Sequence, residues 1–194
     1  MRCLAPKEAE DLLGPSGFRV SSKHEWYRIA LILNRDIAAR QIRIGGRPTP
    51  SVSGLAYFAE ALNRWLPTSR ARLLWVDHWD SFFPSLYEFF VAARRGLGEM
   101  RSPSEAPGHY FDPFPYHECD QTKIPPEQAR QTGILVGLMS LIMIGDWDGW
   151  LVAEGSSDRI EFWEGNLFFY SSDSSRLADA KALMIEFDCP RDLV

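Results

Sequence analysis

The chain has 194 residues, 45% hydrophobic and 24% charged, with three cysteines and a formal net charge of −5. That size and balance fit one soluble globular domain with a core of its own, and exclude a disordered, collagen-like or disulfide-stapled chain. Cys3, Cys119 and Cys189 form no CxxC pair, which points to a reducing compartment.

No apolar signal core opens the sequence, and the longest apolar run, residues 134–144, is too short to span a bilayer. The expected setting is therefore the cytoplasm, with no membrane partner. Charge is unevenly spread. Residues 23–101 carry twelve bases and seven acids, whereas residues 145–194 carry four bases and eleven acids. Overall acidity without a sustained basic run argues against nucleic acid as the ligand. Polarity of this kind shapes encounter with a charged partner more than it shapes the fold.

Residues 6–13 read as a short helix closed by Gly14-Pro15. From His24 onward, Trp26, Ile29, Ala30, Leu33 and Ile37 recur at helical spacing, yet residues 28–33 equally suit a buried strand. Ile42 and Ile44 alternate as strand residues do. Arg35, Arg40, Arg43 and Arg47 give this stretch a basic flavour, for which a solvated face is the ordinary explanation. After an Arg-Pro-Thr-Pro loop, Leu55, Phe58, Ala59, Leu62, Trp65 and Leu66 make an amphipathic helix ended by Pro67. Ser51 or Ser53 suits its cap. Residues 73–76 form a compact strand, and Pro84 suits the first turn of a helix with the stripe Leu86, Phe89, Phe90, Ala93 and Leu97.

Residues 100–126 hold six prolines and the bunched aromatics Tyr110, Phe111, Phe114 and Tyr116, with neither helical nor strand period. They read as a long loop folded over the core. Glu127 then opens a helix to about Ile144, whose second half is apolar all round, the pattern of a central buried helix.

The segment 145–172, GDWDGWLVAEGSSDRIEFWEGNLFFYSS, carries three apolar-rich strands near 150–154, 159–164 and 167–171. Gly-Ser-Ser-Asp turns the first corner and Glu-Gly-Asn the second, giving a β-meander. Ile160 and Phe162 share one face, Glu161 and Trp163 the other. The last strand has large apolar groups on both sides, so one face packs on the core and the other is partly covered. Either Glu164-Gly165 or Gly165-Asn166 occupies the turn centre, and a slip of one residue would exchange the faces. Ser172 or Asp173 caps a closing helix with Leu177, Ala180, Leu183, Met184 and Phe187 inward and Arg176, Asp179 and Lys181 outward, stopped at Cys189-Pro190. The fold class is α+β, several helices packed on an antiparallel sheet that includes the C-terminal meander.

There is no P-loop, GxGxxG, GxSxG or HExxH motif. His109, His117, Cys119 and Asp120 share a loop and are all able to bind zinc, but at a spacing that fits no standard site. Asp77-His78 with Asp80 would support acid–base chemistry, although a histidine beside carboxylates in a loop is far more often a capping arrangement. Asp146 and Asp148 would hold Mg²⁺ only with further oxygen ligands, and Asp and Gly are what a helix-to-strand corner wants anyway. No cofactor is expected. The enzyme alternative is a small hydrolase or metal-dependent enzyme with its site under the 100–126 loop.

Asp146, Asp148, Glu154, Asp158, Glu161 and Glu164 face a single base, Arg159, with Trp147, Trp150 and Trp163 interleaved. The GDWDGW corner and the IEFWEGNLFFYSSD hairpin with its closing helix resemble bacterial immunity proteins of secreted toxin systems. This resemblance covers the last fifty residues or so and is one of composition. It implies stoichiometric inhibition of a cognate toxin, such as a nuclease with a basic cleft. The expected contact residues are Asp146, Asp148, Trp150, Asp158, Glu161, Trp163 and Glu164, since acids speed encounter and buried aromatics supply affinity. Self-pairing into a homodimer through the aromatic sheet face is the remaining expectation.

Overall fold

The computed structural model describes residues 2–21, 30–48, 51, 54–67, 70–76, 109–112 and 126–189. In chain order these form strand β1 (Arg2–Cys3), helix α1 (Pro6–Leu13), a short 3-10 turn, strands β2 (Phe18–Ser21) and β3 (Ala30–Leu33), helix α2 (Arg35–Ala38) and strand β4 (Ile42–Gly46). Helix α3 (Leu55–Trp65) and strands β5 (Arg72–Val76) and β6 (His109–Asp112) follow. Then come helix α4 (Pro126–Ile144), strands β7 (Gly149–Ala153), β8 (Arg159–Trp163) and β9 (Asn166–Ser171), and helix α5 (Ser174–Glu186).

The architecture is α+β. Among the described residues seven strands make one antiparallel sheet in the order β1-β6-β5-β7-β8-β9-β4, and β2 pairs with β3 in a separate hairpin. The meander β7-β8-β9 lies inside the large sheet. Its first strand pairs with β5 and its last with β4. The ambiguous segment near residue 30 is a strand followed by a one-turn helix, which Asn34 caps by accepting from the Asp36 N–H at 2.9 Å. A correction falls on the loop expected at 100–126. Residues 109–112 are a sheet strand held between β1 and β5, and a four-residue strand paired on both sides needs no visible period of its own. The helix expected from Pro84 lies outside the described residues.

Strand alternation sorts the sheet into two faces. On one, Leu74, Leu151, Ile160, Phe169 and Ile44 lie in adjacent register across β5, β7, β8, β9 and β4. They pack with Phe58, Leu62 and Trp65 of α3, Leu135, Met139 and Ile142 of α4, and Ala180 and Met184 of α5. On the other face, among the described residues, α1 and the β2–β3 hairpin cover the β5–β7 end. There Leu4, Leu13, Phe18 and Leu31 pack on Leu73, Trp75 and Val152.

Two buried polar contacts tie helices to strands. Arg72 of β5 donates to Asn63 Oδ1 at 2.8 Å and to the Asn63 and Leu66 carbonyls, so it closes the C-terminal end of α3. Arg176, expected to point outward, is instead half-buried. It binds Asp158 at 3.4 Å and lies over the Trp65 ring, whose indole donates to the Arg176 carbonyl. Helix α4 is not central on all sides either. Ile134, Leu135, Leu138, Met139 and Ile142 are buried, while Gly133, Gly137 and Ile144 are exposed. Its uniform apolarity hid the stripe that packs. No helix among the described residues is long and apolar enough to cross a membrane.

Candidate protein-interaction surface

The end of α4 sets the first part of the site. Trp147 N–H donates back to the Ile142 carbonyl at 3.0 Å, and Asp146 between them adopts φ +51°. This is a Schellman closure with aspartate at the left-handed position that glycine usually fills. The buried Trp147 and Ile142 side chains both join the core. The helix thereby stops, the chain turns into β7, and Asp146 is left exposed, 3.8 Å from Arg47.

The β8–β9 turn supplies the second part. Trp163 pairs with Asn166, so Glu164-Gly165 is the turn centre. Both central residues have positive φ, +48° and +74°, as a type I′ hairpin requires. Glutamate is a poor residue there. The turn is held by Asp148, which accepts the Glu164 N–H at 2.8 Å, and by the crowding at Gly165. A Cβ at Gly165 would lie 2.5 Å from Asp146 Oδ1. The GDWDGW corner and the hairpin tip are thus one braced unit, on which Asp146, Glu164 and the 46% exposed Trp163 face solvent.

The meander face opposite the helices continues from that tip. One cross-strand row runs Trp150, Glu161, Phe168, Gly45, and the next runs Val152, Arg159, Tyr170, Arg43. Gly45 is required, because a Cβ there would sit 2.2 Å from the Phe168 ring. The Arg43 guanidinium lies 4.6 Å over that ring, and Arg159 lies 4.0 Å over Tyr170 and 5.2 Å over Trp150. Arg159 also donates to Gln41, whose amide donates to the Ser157 carbonyl at 2.7 Å.

Glu161 sits at the centre, only 8% exposed, and accepts the Tyr170 hydroxyl at 2.5 Å. Burial pushes its carboxyl above the usual range, opposed by the Tyr170 hydrogen bond and by Arg159 and Arg43. Burial, then Glu161, pushes the Tyr170 phenol up to about 12. Burial lowers Arg159 to about 10, against the pull of Tyr170 and Glu161, so the guanidinium stays charged at neutral pH.

The expected contact residues therefore divide. Asp146, Trp163 and Glu164 come together at the exposed tip, and Trp150 is half-buried on the meander face opposite the helices. Glu161 and Asp148 are not displayed to a partner, for each is consumed by an internal hydrogen bond. Asp158 stands elsewhere, engaged with Arg176 at the foot of α5. Sequence reasoning missed Arg43, Gly45, Arg47 and Tyr170. The first three arrive from β4 and the residue after it, and only a long-range register brings them here. Alternating charge would have flagged Arg43 but not its place.

Among the described residues no three His, Cys, Asp or Glu side chains converge as metal ligands would. His78, His117, Cys119, Asp77, Asp80 and Asp120 lie outside the described residues, as does the His109 side chain. No protein-family model matches this chain, and no curated protein or solved structure is significantly similar to it.

Proposed function

We propose that this protein is a non-enzymatic inhibitor, an immunity protein that binds a cognate bacterial toxin through the braced tip of its C-terminal meander. The observation that carries this reading is a large, solvent-facing indole, Trp163, flanked by the exposed carboxylates Asp146 and Glu164 on a backbone held by Asp148. An aromatic anchor presented rigidly loses little conformational entropy on binding. Acids beside it steer a basic surface, such as a nuclease cleft, toward the contact. Two left-handed non-glycine residues at the same tip add support, because backbone strain gathers where function needs a shape that stability alone would not choose.

The test is association with purified candidate toxins that carry a basic nuclease cleft. Trp163→Ala should weaken binding at least tenfold, of the order expected for a central aromatic. Glu164→Lys should slow association at low salt and leave dissociation nearly unchanged. If both variants bind as the native chain does, the tip is not the contact.

A further inference from the structure

Helix α5 is apolar on two sides. Leu177, Ala180 and Met184 enter the core, whereas Ala178, Ala182 and Ile185 stand above one another on the solvent side, the last of them 61% exposed. One exposed charge flanks this outer stripe on each side, Lys181 on one and Glu186 on the other. Among the described residues neither forms an ion pair. A helix pairs charges three or four residues apart, and these are five apart, so α5 cannot join them itself. We propose that α5 is the contact of a symmetric dimer, in which two copies of the chain lay these stripes together in parallel and Lys181 of each copy pairs with Glu186 of the other.

Three observations carry the proposal. The first is spacing. Steps of four and three residues along the stripe are those of the apolar seam between two wound helices, and in that frame Lys181 and Glu186 hold the flanking positions that pair between parallel strands. The second is orientation. A two-fold axis along the helices sets the Lys181 flank of one copy against the Glu186 flank of the other, and does so twice. Antiparallel packing would set lysine against lysine and glutamate against glutamate. The charges therefore suit a second copy of this chain in one orientation. The third is access. Ala178 and Ala182 let the helix backbones approach to about 8 Å, and Ile185 supplies the largest apolar side chain of the seam. So short a seam buries less than a standard interface, which makes the dimer weak and concentration-dependent. Helix α5 packs on the sheet face opposite Trp163, so the pairing leaves the meander tip uncovered.

Sedimentation equilibrium of the full chain at low salt tests this. The native chain should dimerise with a Kd of about 100 µM and dissociate as ionic strength rises. Lys181→Glu and Glu186→Lys should each weaken the dimer at least tenfold by setting like charges together. An equimolar mixture of the two variants should recover dimerisation, because every flank again meets its opposite. Ile185→Asp should abolish it. All three positions are exposed, so the variants should melt with the native chain, and recovery in the mixture cannot come from a chain that has failed to fold. A native chain that stays monomeric up to about 1 mM, or a dimer that ignores both charge reversals, overturns the proposal.

Discussion

Glu161 is placed among Trp150, Phe168 and Tyr170, and its carboxylate has exchanged most of its hydration for one phenolic hydrogen bond. The sign of its pH linkage follows. The folded-state pKa lies above the unfolded value, so the stability it contributes is fully present below the unfolded pKa and is lost as pH rises through the folded one. Glu161→Gln keeps an acceptor for Tyr170 and removes that titration. Relative to the native chain, the variant should therefore gain stability as pH rises across the carboxylate range, read from urea midpoints at matched slope. A pH-independent difference would show that burial does not control this group. Tyr170→Phe leaves the carboxylate without its donor and should cost about 1.5–3 kcal/mol at neutral pH, less at acid pH where Glu161 is protonated. In a spectroscopic alkaline titration the same substitution should remove the tyrosine that ionises at about 12.

At the scale of elements, the hairpin turn is where stability and the proposed binding pull apart. Glu164 occupies a left-handed position that asparagine or glycine fills with less strain. Glu164→Asn should raise stability by about 0.5–1 kcal/mol while slowing association with a basic partner. A variant that is both more stable and an equally fast binder would remove the functional argument for glutamate there. Gly165→Ala should cost about 1–3 kcal/mol, through its positive φ and through contact with Asp146 Oδ1. Much of this was legible in the sequence. The α1, α3 and α5 helices announce themselves by period and punctuation, and Pro6, Asp173 and the run of apolar strands bound by Gly, Ser and Asp mark their ends. What could not be read is what depends on distant pairing. The strand at 109–112 has no alternation of its own, the turn centre needed the Trp163–Asn166 pair to fix it, and the burial of Glu161 needed Tyr170 and Phe168 set opposite by β9. The sequence pattern placed Glu161 and Trp163 on one face correctly. It could not say that the face is wet at the tip and nearly dry one residue pair further in.

For the whole molecule, the strand order explains how a basic stretch and an acidic one come to share a surface. β4 brings Arg43 and delivers Arg47 beside the meander's acids, so two of the bases in residues 23–101 partly offset the C-terminal acids at one edge. Asp146 meets Arg47, whereas Glu164 remains exposed on the turn. Steering by so few groups is short in range. Association with a basic partner should therefore slow as ionic strength rises from about 0.01 M, where charges act over roughly 30 Å, to 0.15 M, where they act over roughly 8 Å. Dissociation should change little, and a salt-independent association rate would place the contact on an apolar surface instead.

That strand order also governs how the protein comes into being. Among the described residues β4 finds its hydrogen-bonding partner only in β9, from Ile42 opposite Ser171 to Gly46 opposite Leu167. At roughly 5–20 residues per second of synthesis, a nascent chain holds that strand unpaired for on the order of ten seconds before its mate emerges. The sheet is therefore completed only once the C-terminal hairpin has been made, and a product broken off before that hairpin would lack the partner strand of β4 and the braced tip.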